Sequence, residues 1–356
     1  MDSQVSRKPA FLRGIVIVLL VLTAFGPGWL DRGYTYVQDE EDSLPPATSS
    51  SVTIERTPDG SFLYLVNGSP EVLVGMGYNP IYRYLPDDER AANYDRDFRL
   101  LCRAGVNHIL GWDTDRGYEQ DKFDELTLDR ADAEGLGVVM PFYLPPEGDY
   151  QDPLFLQSLL DAAAAKVARF KDHPALRMWG VGNEVLDNIV SSKNRAAFVN
   201  FYAALIDQFH SLDPNHPVIY RSAEDIFIPA LDNALRSTGQ ERPWLLFGVN
   251  VYTQRLDSIL SSWPARVPDR AVVVSEFGAY APYGERGVGY TSLWRSIRAY
   301  PGYVLGGAAY AWTTEGPEPT DRIWGLLDGH GESIDETFDL LSAEWLQENG
   351  GPRRCN

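Results

Sequence analysis

Short, continuous apolar runs recur along the chain from about residue 70 onward, and each is followed by a longer segment of helical character. Runs that are apolar throughout, rather than alternating with polar residues, are typical of strands buried on both faces of a parallel sheet. Eight such strands are predicted, at residues 72–78, 107–112, 138–143, 176–183, 218–222, 246–252, 271–277 and 304–312.

Amphipathic helices are predicted between these strands. The clearest spans 154–170, the segment 195–212 repeats its three-to-four spacing, and a last helix at 334–347 follows the eighth strand. Eight strand–helix units predict an α/β fold of the closed (β/α)8, or TIM barrel, type. A doubly wound open sheet is the alternative, but the glycine-rich phosphate-binding motif that it often carries after the first strand is absent.

The segments ahead of the barrel predict a short N-terminal β-hairpin, a linker and an export signal. "VTIERT" and "SFLYLV" flank a Pro-Asp-Gly turn, and residues 37–51 are acidic and then rich in proline and serine. Basic residues precede the apolar stretch 14–30, as in a signal peptide or a membrane anchor. The predicted organisation is 1–36 signal or anchor, 37–51 linker, 52–348 barrel domain and 349–356 tail. The barrel is therefore expected outside the cytoplasm, secreted or attached to a membrane through 14–30.

The composition limits the kinds of partner that the chain is expected to bind. The 356 residues include 31 basic and 50 acidic ones, for a net charge of −19, which argues against binding to nucleic acid. Five scattered histidines show no metal-ligand spacing, so neither a metal site nor a cofactor is expected. Two cysteines cannot form a disulfide framework; Cys102 lies in an apolar helical pattern and is predicted to be a buried free thiol, with Cys355 in a mobile tail. A monomer is expected.

Candidate chemistry lies at the ends of the predicted strands, because barrel enzymes carry their catalytic residues at the C-terminal ends of the strands. The fourth strand ends in "WGVGNEV" with Asn183 and Glu184, and the seventh ends in "VVVSEFG" with Glu276. An ionised glutamate behind an apolar run is costly unless it is hydrogen-bonded or functional. Two carboxylates across a cleft are the machinery of glycoside hydrolysis, in which one protonates the leaving oxygen while the other attacks the anomeric carbon or activates water.

The remaining strand ends predict a sugar-binding rim. Aromatic rings present flat apolar faces to the C–H faces of sugars, and amides bind hydroxyls; any single aromatic residue could equally belong to the core. The candidates for substrate binding at these ends are Tyr78, Asn79, Trp112, Tyr143, Asn250, Tyr252 and Trp312. A carbohydrate substrate is therefore the expected partner.

The two glutamate motifs resemble the strand-four and strand-seven signatures of glycoside hydrolase clan A. This barrel superfamily includes families 2 and 5 and the fungal β-1,3-glucanosyltransferases. "SFLYLVNGSPEVLVGMGYNP" is similar to the entry into the barrel in family 2, where a short hairpin precedes the first strand. The resemblance extends over roughly 62–346.

The resemblance implies a role for each matching residue. Glu184 would be the general acid/base and Glu276 the nucleophile. Asn183 would bind the hydroxyl next to the anomeric carbon, Tyr252 would donate a hydrogen bond to Glu276, and Trp312 would floor the subsite of the cleaved sugar. The anomeric configuration would be retained through a covalent glycosyl-enzyme.

The sequence departs from the pattern of the clan in two ways. Many clan members carry an arginine near the end of strand two, where this chain reads "HILGWD"; Arg83 and Arg221 are the candidates to replace it. Family 2 enzymes usually carry β-sandwich domains before the barrel, so a family 2 substrate is not carried over.

Three hypotheses for the function follow from the sequence. They are a retaining β-glycosidase acting on an extracellular β-glucan or β-mannan, a cell-surface transglycosylase remodelling β-glucan, and an inactive glycan-binding barrel. The presence of both acids counts against the third.

Overall fold

The computed structural model describes residues 49–111, 123–279, 285–317, 319–348 and 355. It begins with a small antiparallel sheet formed by β1 (Val52–Arg56), β2 (Phe62–Val66) and β3 (Ser69–Pro70). Val52 pairs with Val66 and Arg56 with Phe62 on either side of the Pro-Asp-Gly turn. The predicted N-terminal hairpin is confirmed.

Eight parallel strands close into a barrel behind this sheet. They are β4 (Leu73–Gly77), β5 (His108–Leu110), β6 (Gly137–Phe142), β7 (Leu176–Asn183), β8 (Val218–Ala223), β9 (Leu245–Val251), β10 (Val272–Phe277) and β11 (Val304–Ala309). Neighbours in sequence are neighbours in the barrel, and β11 pairs with β4 to complete it. The predicted (β/α)8 architecture is confirmed.

Helices surround the barrel and follow its strands. They are a 3-10 turn (Tyr82–Tyr84), α1 (Asp87–Arg103), α2 (Glu125–Ala133), α3 (Pro153–Phe170), α4 (Val185–Asn188), α5 (Ser192–Leu212), α6 (Ile228–Ser237), α7 (Leu256–Arg266), α8 (Arg286–Arg298), α9 (Asp321–Trp324) and α10 (Thr337–Glu348). α5 begins three residues before the predicted start, because the Ser191 side chain accepts the Asn194 N–H and caps the helix there.

The core has two layers that the barrel wall separates. The larger cluster packs the outer faces of the strands against the helices. The smaller one fills the barrel interior and continues into the hairpin, since Val52, Tyr64 and Val66 pack with strand residues such as Ile219 and Leu246.

The hairpin covers the N-terminal end of the barrel. The Val52 N–H donates to the Asn215 carbonyl and the Phe62 N–H to that of Gly302, both at 2.8 Å, and these acceptors precede β8 and β11. The Tyr64 hydroxyl lies 2.8 Å from His108 Nε2 at the start of β5. The opposite, C-terminal end of the barrel is the end left for a functional site.

A disulfide joins Cys102, at the end of α1, to Cys355, with the two Cα atoms 5.9 Å apart. The prediction of a free thiol at Cys102 is therefore wrong. The pairing depends on barrel closure, which brings α10 against the turn after α1, where a Cβ at Gly105 would lie 3.2 Å from Trp345. A separation of 253 residues carries no local signal of such a contact.

Within the described ranges, no helix is long and apolar enough to cross a membrane. The stretch 14–30, on which the predicted signal or anchor rests, lies outside the described residues, as do the linker up to residue 48 and all of the C-terminal tail except Cys355. The predicted domain boundaries stay predictions.

The disulfide generates a stability prediction. Cys355→Ala removes the cross-link without opening a cavity beside α1, and it should lower the free energy of unfolding by about 2–4 kcal/mol, since a long loop is no longer closed in the unfolded chain. Thermal unfolding with and without a thiol reductant measures it. The parent should respond to the reductant and the variant should not; equal responses would contradict the pairing.

Candidate active site

The barrel register brings polar residues of four neighbouring strands to one level at the C-terminal end. Asn183 of β7 pairs with Arg221 of β8, and Asn250 of β9 pairs with both Ala223 of β8 and Glu276 of β10. Parallel strands in a closed barrel end at the same rim, so residues far apart in sequence meet there.

Glu184 follows β7 in a left-handed conformation, with φ of 54°. Its backbone N–H donates to the Arg221 carbonyl at 2.9 Å, which fastens the turn to the next strand. Although Glu184 precedes α4, its side chain makes no capping hydrogen bond to that helix. Left-handed backbone at a non-glycine residue costs on the order of 1–3 kcal/mol and clusters at functional sites.

Asn250 holds the Glu184 side chain in place. Its Nδ2 donates to Glu184 Oε1 at 2.9 Å and to Asn183 Oδ1 at 3.1 Å. Its own Oδ1 accepts the Ser275 hydroxyl at 2.7 Å, and the residue is buried. Asn250, predicted to bind substrate, thus orients Glu184 and Asn183, which are both partly exposed at the mouth.

Glu276 is the penultimate residue of β10 and is only 6% exposed. The Tyr252 hydroxyl donates to its Oε2 at 2.6 Å, the contact implied by the family resemblance. A short O–H donor on one carboxylate oxygen stabilises the ionised form and leaves the other oxygen to react.

The two carboxyl groups are electrostatically coupled. Burial, together with the charge of Glu184, raises the pKa of Glu276 to about 8, although Arg221 and the Tyr252 hydroxyl oppose the shift. Burial also raises the pKa of Glu184, opposed by the Asn250 hydrogen bond and by Arg221, and reinforced by the charge of Asp187. Both groups favour protonation, so the pair retains a proton well above the usual range of a carboxyl group.

The location of that proton decides the roles. Burial alone favours protonating Glu276, because it is the more deeply buried of the two. The short Tyr252 hydrogen bond favours an anion there, and the nearby Asp187 charge favours a neutral Glu184. We assign the proton to Glu184, because the Tyr252 hydrogen bond to Glu276 and the Asp187 charge near Glu184 separate the two pKa values in the sense that double displacement needs.

Arg221 supplies the cation between the two glutamates. It lies inside β8, is 1% exposed, and its charge lowers the pKa of both Glu184 and Glu276. Glycines on the flanking strands make room for it, since a Cβ at Gly248 would lie 2.9 Å from the Arg221 Cγ. Arg83, the other candidate to replace the strand-two arginine, lies over the Tyr84 ring in the 3-10 turn.

Two aromatic candidates lie behind the site wall. Tyr78 and Trp312 are each 1% exposed, and both donate to Asp97 Oδ2, the phenol at 2.8 Å and the indole at 3.0 Å. A buried carboxylate such as that of Asp97 must be hydrogen-bonded, and both rings point toward it and away from solvent. The role of Trp312 as the floor of the subsite for the cleaved sugar stays a prediction. Tyr143 is half-buried after β6, and Trp112 lies outside the described residues.

Asn79 belongs to a second buried carboxylate network. Its Nδ2 donates to Asp321 Oδ1 at 2.6 Å, and the Tyr310 hydroxyl donates to the same oxygen at 2.9 Å. Asn79 is 1% exposed, so in this structure it supports the loop after β11.

The aromatic wall beside Glu276 includes residues that sequence reasoning missed. The Tyr252 ring lies 4.7 Å from that of half-buried Trp324 and 5.7 Å from that of Tyr310, measured between centroids. Trp324 lies on α9 within the segment "TEGPEPTDRIW". This segment has no periodic pattern of apolar residues from which its conformation could be predicted. The only available signal was an aromatic residue in the loop after the eighth strand.

Comparison with known proteins agrees with this geometry. Residues 120–296 match the model of the glycosyl hydrolases family 2 TIM barrel domain. The β-glucuronidase of Sus scrofa is 25% identical over 238 residues, covering 63% of this chain and 31% of that protein. The β-galactosidase of Vibrio cholerae is 23% identical over 325 residues, covering 86% and 28%. A β-glucuronidase structure from Ruminococcus gnavus in complex with D-glucuronic acid superposes with a TM-score of 0.62 at 16% identity, covering 83% of this chain and 52% of that one.

These matches confirm the predicted resemblance to glycoside hydrolase clan A. Within the clan, the matched segment is similar to the TIM barrel domain of family 2. The enzyme class expected from the sequence agrees with that of these relatives. The chain spans about a third of the length of the curated relatives it matches, 31% and 28%.

The buried charge at Glu276 generates a stability prediction. Folding raises the pKa of Glu276 from 4.5 to about 8, and because Glu276 and Glu184 are coupled, this titration belongs to the pair. The stability that the shared proton contributes is present below pH 4.5 and is lost as the pH rises through about 8. Glu276→Gln keeps an acceptor for Tyr252 and removes the charge, so at pH 8 it should raise the free energy of unfolding by about 1–2 kcal/mol. Chemical denaturation at pH 5 and pH 8 measures it.

Glu336→Gln, at an exposed position, is the matched control and should change the stability by less than about 0.5 kcal/mol. If Glu276→Gln were less stable than the parent at pH 8, the carboxylate would be a structural ion rather than a strained functional one.

Proposed function

We propose that this chain is a retaining β-glycosidase that hydrolyses O-glycosidic bonds by double displacement. One observation carries the proposal. Glu184 and Glu276 lie at the ends of the fourth and seventh barrel strands, at the same mouth, and the charge of Arg221 lowers the pKa of both. Each carboxylate also has its own donor, Asn250 for Glu184 and Tyr252 for Glu276.

These contacts support a role for each group in the first step. Glu276 attacks the anomeric carbon while the Glu184 carboxylic acid transfers its proton to the leaving oxygen, so the glycosidic C–O bond breaks and an ester to Glu276 forms. The Tyr252 hydroxyl and Arg221 hold Glu276 ionised before attack. Once the glycosyl ester has formed, the Glu276 charge is gone and no longer supports the proton on Glu184.

The second step uses the same groups in reverse. With Glu276 esterified, Glu184 is ionised and accepts a proton from a water molecule as that water attacks the anomeric carbon. The ester C–O bond breaks, Glu276 regains its charge, and the sugar leaves with its original configuration. Retention by this route requires the two carboxyl groups to lie about 5–5.5 Å apart.

The proposed substrate is a neutral β-linked poly- or oligosaccharide of the β-glucan or β-mannan type. The relatives named above are β-glucuronidases and a β-galactosidase, and their substrates are not transferred at this level of identity. The charges of the described site support a neutral sugar. Glu184 and Glu276 lie at the mouth, the charges of Asp187 and Asp321 add to theirs, and the charge of Arg221 already acts on the catalytic pair. A uronate carboxylate would add repulsion in a low-dielectric cleft.

An extracytoplasmic location is proposed as well. The basic and then apolar N-terminus supports export, and the Cys102–Cys355 disulfide supports an oxidising compartment, because cytosolic thiols are kept reduced. Attachment to a membrane through 14–30 and a monomeric state belong to the same proposal.

The experiment is a screen of aryl β-glycosides followed by rescue with azide. Glu276→Ala and Glu184→Ala should each lower kcat/KM by roughly 10³-fold or more, whereas Glu336→Gln should leave it unchanged. With azide, Glu276→Ala should form the α-glycosyl azide and Glu184→Ala the β-glycosyl azide, since azide replaces the nucleophile in one and the activated water in the other. Unchanged hydrolysis in Glu276→Ala would contradict the mechanism.

The same screen tests the substrate class. Aryl β-glucoside or β-mannoside should be cleaved with a kcat/KM at least about tenfold higher than that of the aryl β-glucuronide, because the site charge repels the uronate. The difference should shrink as salt is raised, if any of it arises from partly exposed charges. Preference for the glucuronide would overturn the neutral-glycan proposal and leave the mechanism intact.

Asp187 generates a prediction about pH. Its Oδ2 accepts the Ser222 hydroxyl at 2.9 Å, and its charge raises the pKa of Glu184. Asp187→Asn keeps an acceptor and removes the charge, so the basic limb of the kcat/KM profile should move to lower pH, because the proton on Glu184 is lost earlier. Asp129→Asn, at a surface position, is the control; an unmoved basic limb in Asp187→Asn would exclude this coupling.

A further inference from the structure

Glu224 repeats, one strand further round the barrel, the backbone geometry of Glu184. Among the described residues, four non-glycine residues have positive φ: Asn67, Glu184, Glu224 and Asp269. Asn67 lies in the hairpin turn and Asp269 precedes β10, but Glu184 and Glu224 follow neighbouring strands at the mouth. The Glu224 N–H donates to the Asn250 carbonyl at 2.9 Å, as the Glu184 N–H does to that of Arg221.

The Glu224 side chain belongs to a mixed polar group, the Glu224 cluster, made of Glu224, Thr253 and Arg255. Its Oε1 accepts the Thr253 hydroxyl at 2.9 Å, and its Oε2 pairs with Arg255 Nη1. The Glu224 side chain is 16% exposed and that of Arg255 is 57% exposed, so both charges can be reached from solvent.

An ion pair that only fastens the loop does not account for this arrangement. An exposed ion pair contributes roughly 0–1 kcal/mol. A left-handed conformation costs a residue with a Cβ roughly 1–2 kcal/mol, and glycine would avoid that cost. On balance, the left-handed conformation of Glu224 therefore lowers the stability of the fold. Strained backbone is often kept at residues that have a functional role, which points to such a role for the Glu224 carboxylate.

The cluster lies next to the acid/base along a short chain of hydrogen bonds. Asn250 joins them, because its backbone carbonyl accepts from Glu224 while its side chain donates to Glu184 Oε1. Thr253 directly follows Tyr252, the hydrogen-bond donor to Glu276. Glu184 protonates the leaving oxygen in the proposed mechanism, so the released group lies on the side of the mouth where Glu184 and its neighbours project.

We propose that the Glu224 cluster binds the leaving group when that group is a sugar. A carboxylate accepts two neighbouring hydroxyls of a pyranose, and a guanidinium donates to its oxygens. Exposed Ile226, at 58%, offers an apolar surface to a C–H face two residues further on. This inference rests on the proposed glycosidase function and adds the residues that bind the leaving sugar.

The test compares two substrates with the same cleaved sugar, a β-linked disaccharide and the aryl glycoside. In Glu224→Gln and Glu224→Ala, kcat/KM for the disaccharide should fall about 10- to 100-fold further than for the aryl glycoside, which has no leaving-group hydroxyls to bind. Arg255→Gln should act in the same direction. Glu336→Gln, at an exposed position before α10, should leave kcat/KM for both substrates unchanged.

Glu224→Gly separates binding from structure. Glycine relieves the left-handed strain, so this variant should unfold at the same or a higher temperature than the parent and still lose the disaccharide preference. A lower unfolding temperature with both substrates reduced equally would overturn the proposal in favour of a loop-fastening ion pair. If the parent cleaves neither substrate, nor any other glycoside in the screen, the glycosidase function fails and this inference with it. Equal losses in an active enzyme refute the inference alone.

Discussion

Closure of the eight-stranded barrel is the constraint on which the rest of the structure depends. Parallel strands that pair in sequence order and then join β11 to β4 must end at one rim. Asn183, Arg221, Asn250 and Glu276, which belong to four separate strands, become neighbours for that reason alone. The hairpin seals the other end of the barrel, so its interior is a packed core and the chemistry is confined to the mouth.

The mouth combines groups that oppose one another. Burial raises the pKa of Glu184 and of Glu276, with a further contribution from the Asp187 charge at Glu184 and from the Glu184 charge at Glu276. Arg221 and the two aimed donors oppose these shifts. The result is a pair that keeps a proton near neutral pH and has a defined position for each carboxylate. Such a site reduces stability, and the large double-layered core around it is what tolerates the reduction.

Buried carboxylates also organise the wall around the pair. Asp97 collects hydroxyl and indole donors beneath the mouth, and Asp321 does the same for Asn79 and Tyr310 under the loop after β11. Several residues predicted to touch sugar donate to these buried carboxylates, and their contact with sugar stays a prediction. The half-buried rings of Tyr252 and Trp324 and the polar group at Glu224 form the accessible part of the mouth.

The sequence by itself determined the eight strands, the N-terminal hairpin and the two glutamates at strand ends, because apolar periodicity and strand-end position are local properties of the chain. It also contained the Asn-x-Tyr that supplies Tyr252. Only the tertiary structure decided that Trp312 turns inward to Asp97, that Asn250 orients Glu184, that Arg221 is the cation between the glutamates, and that Cys102 pairs with Cys355. Those features depend on side chains brought together from distant segments, and hydrogen-bond partners and burial at such contacts have no signature in a local pattern.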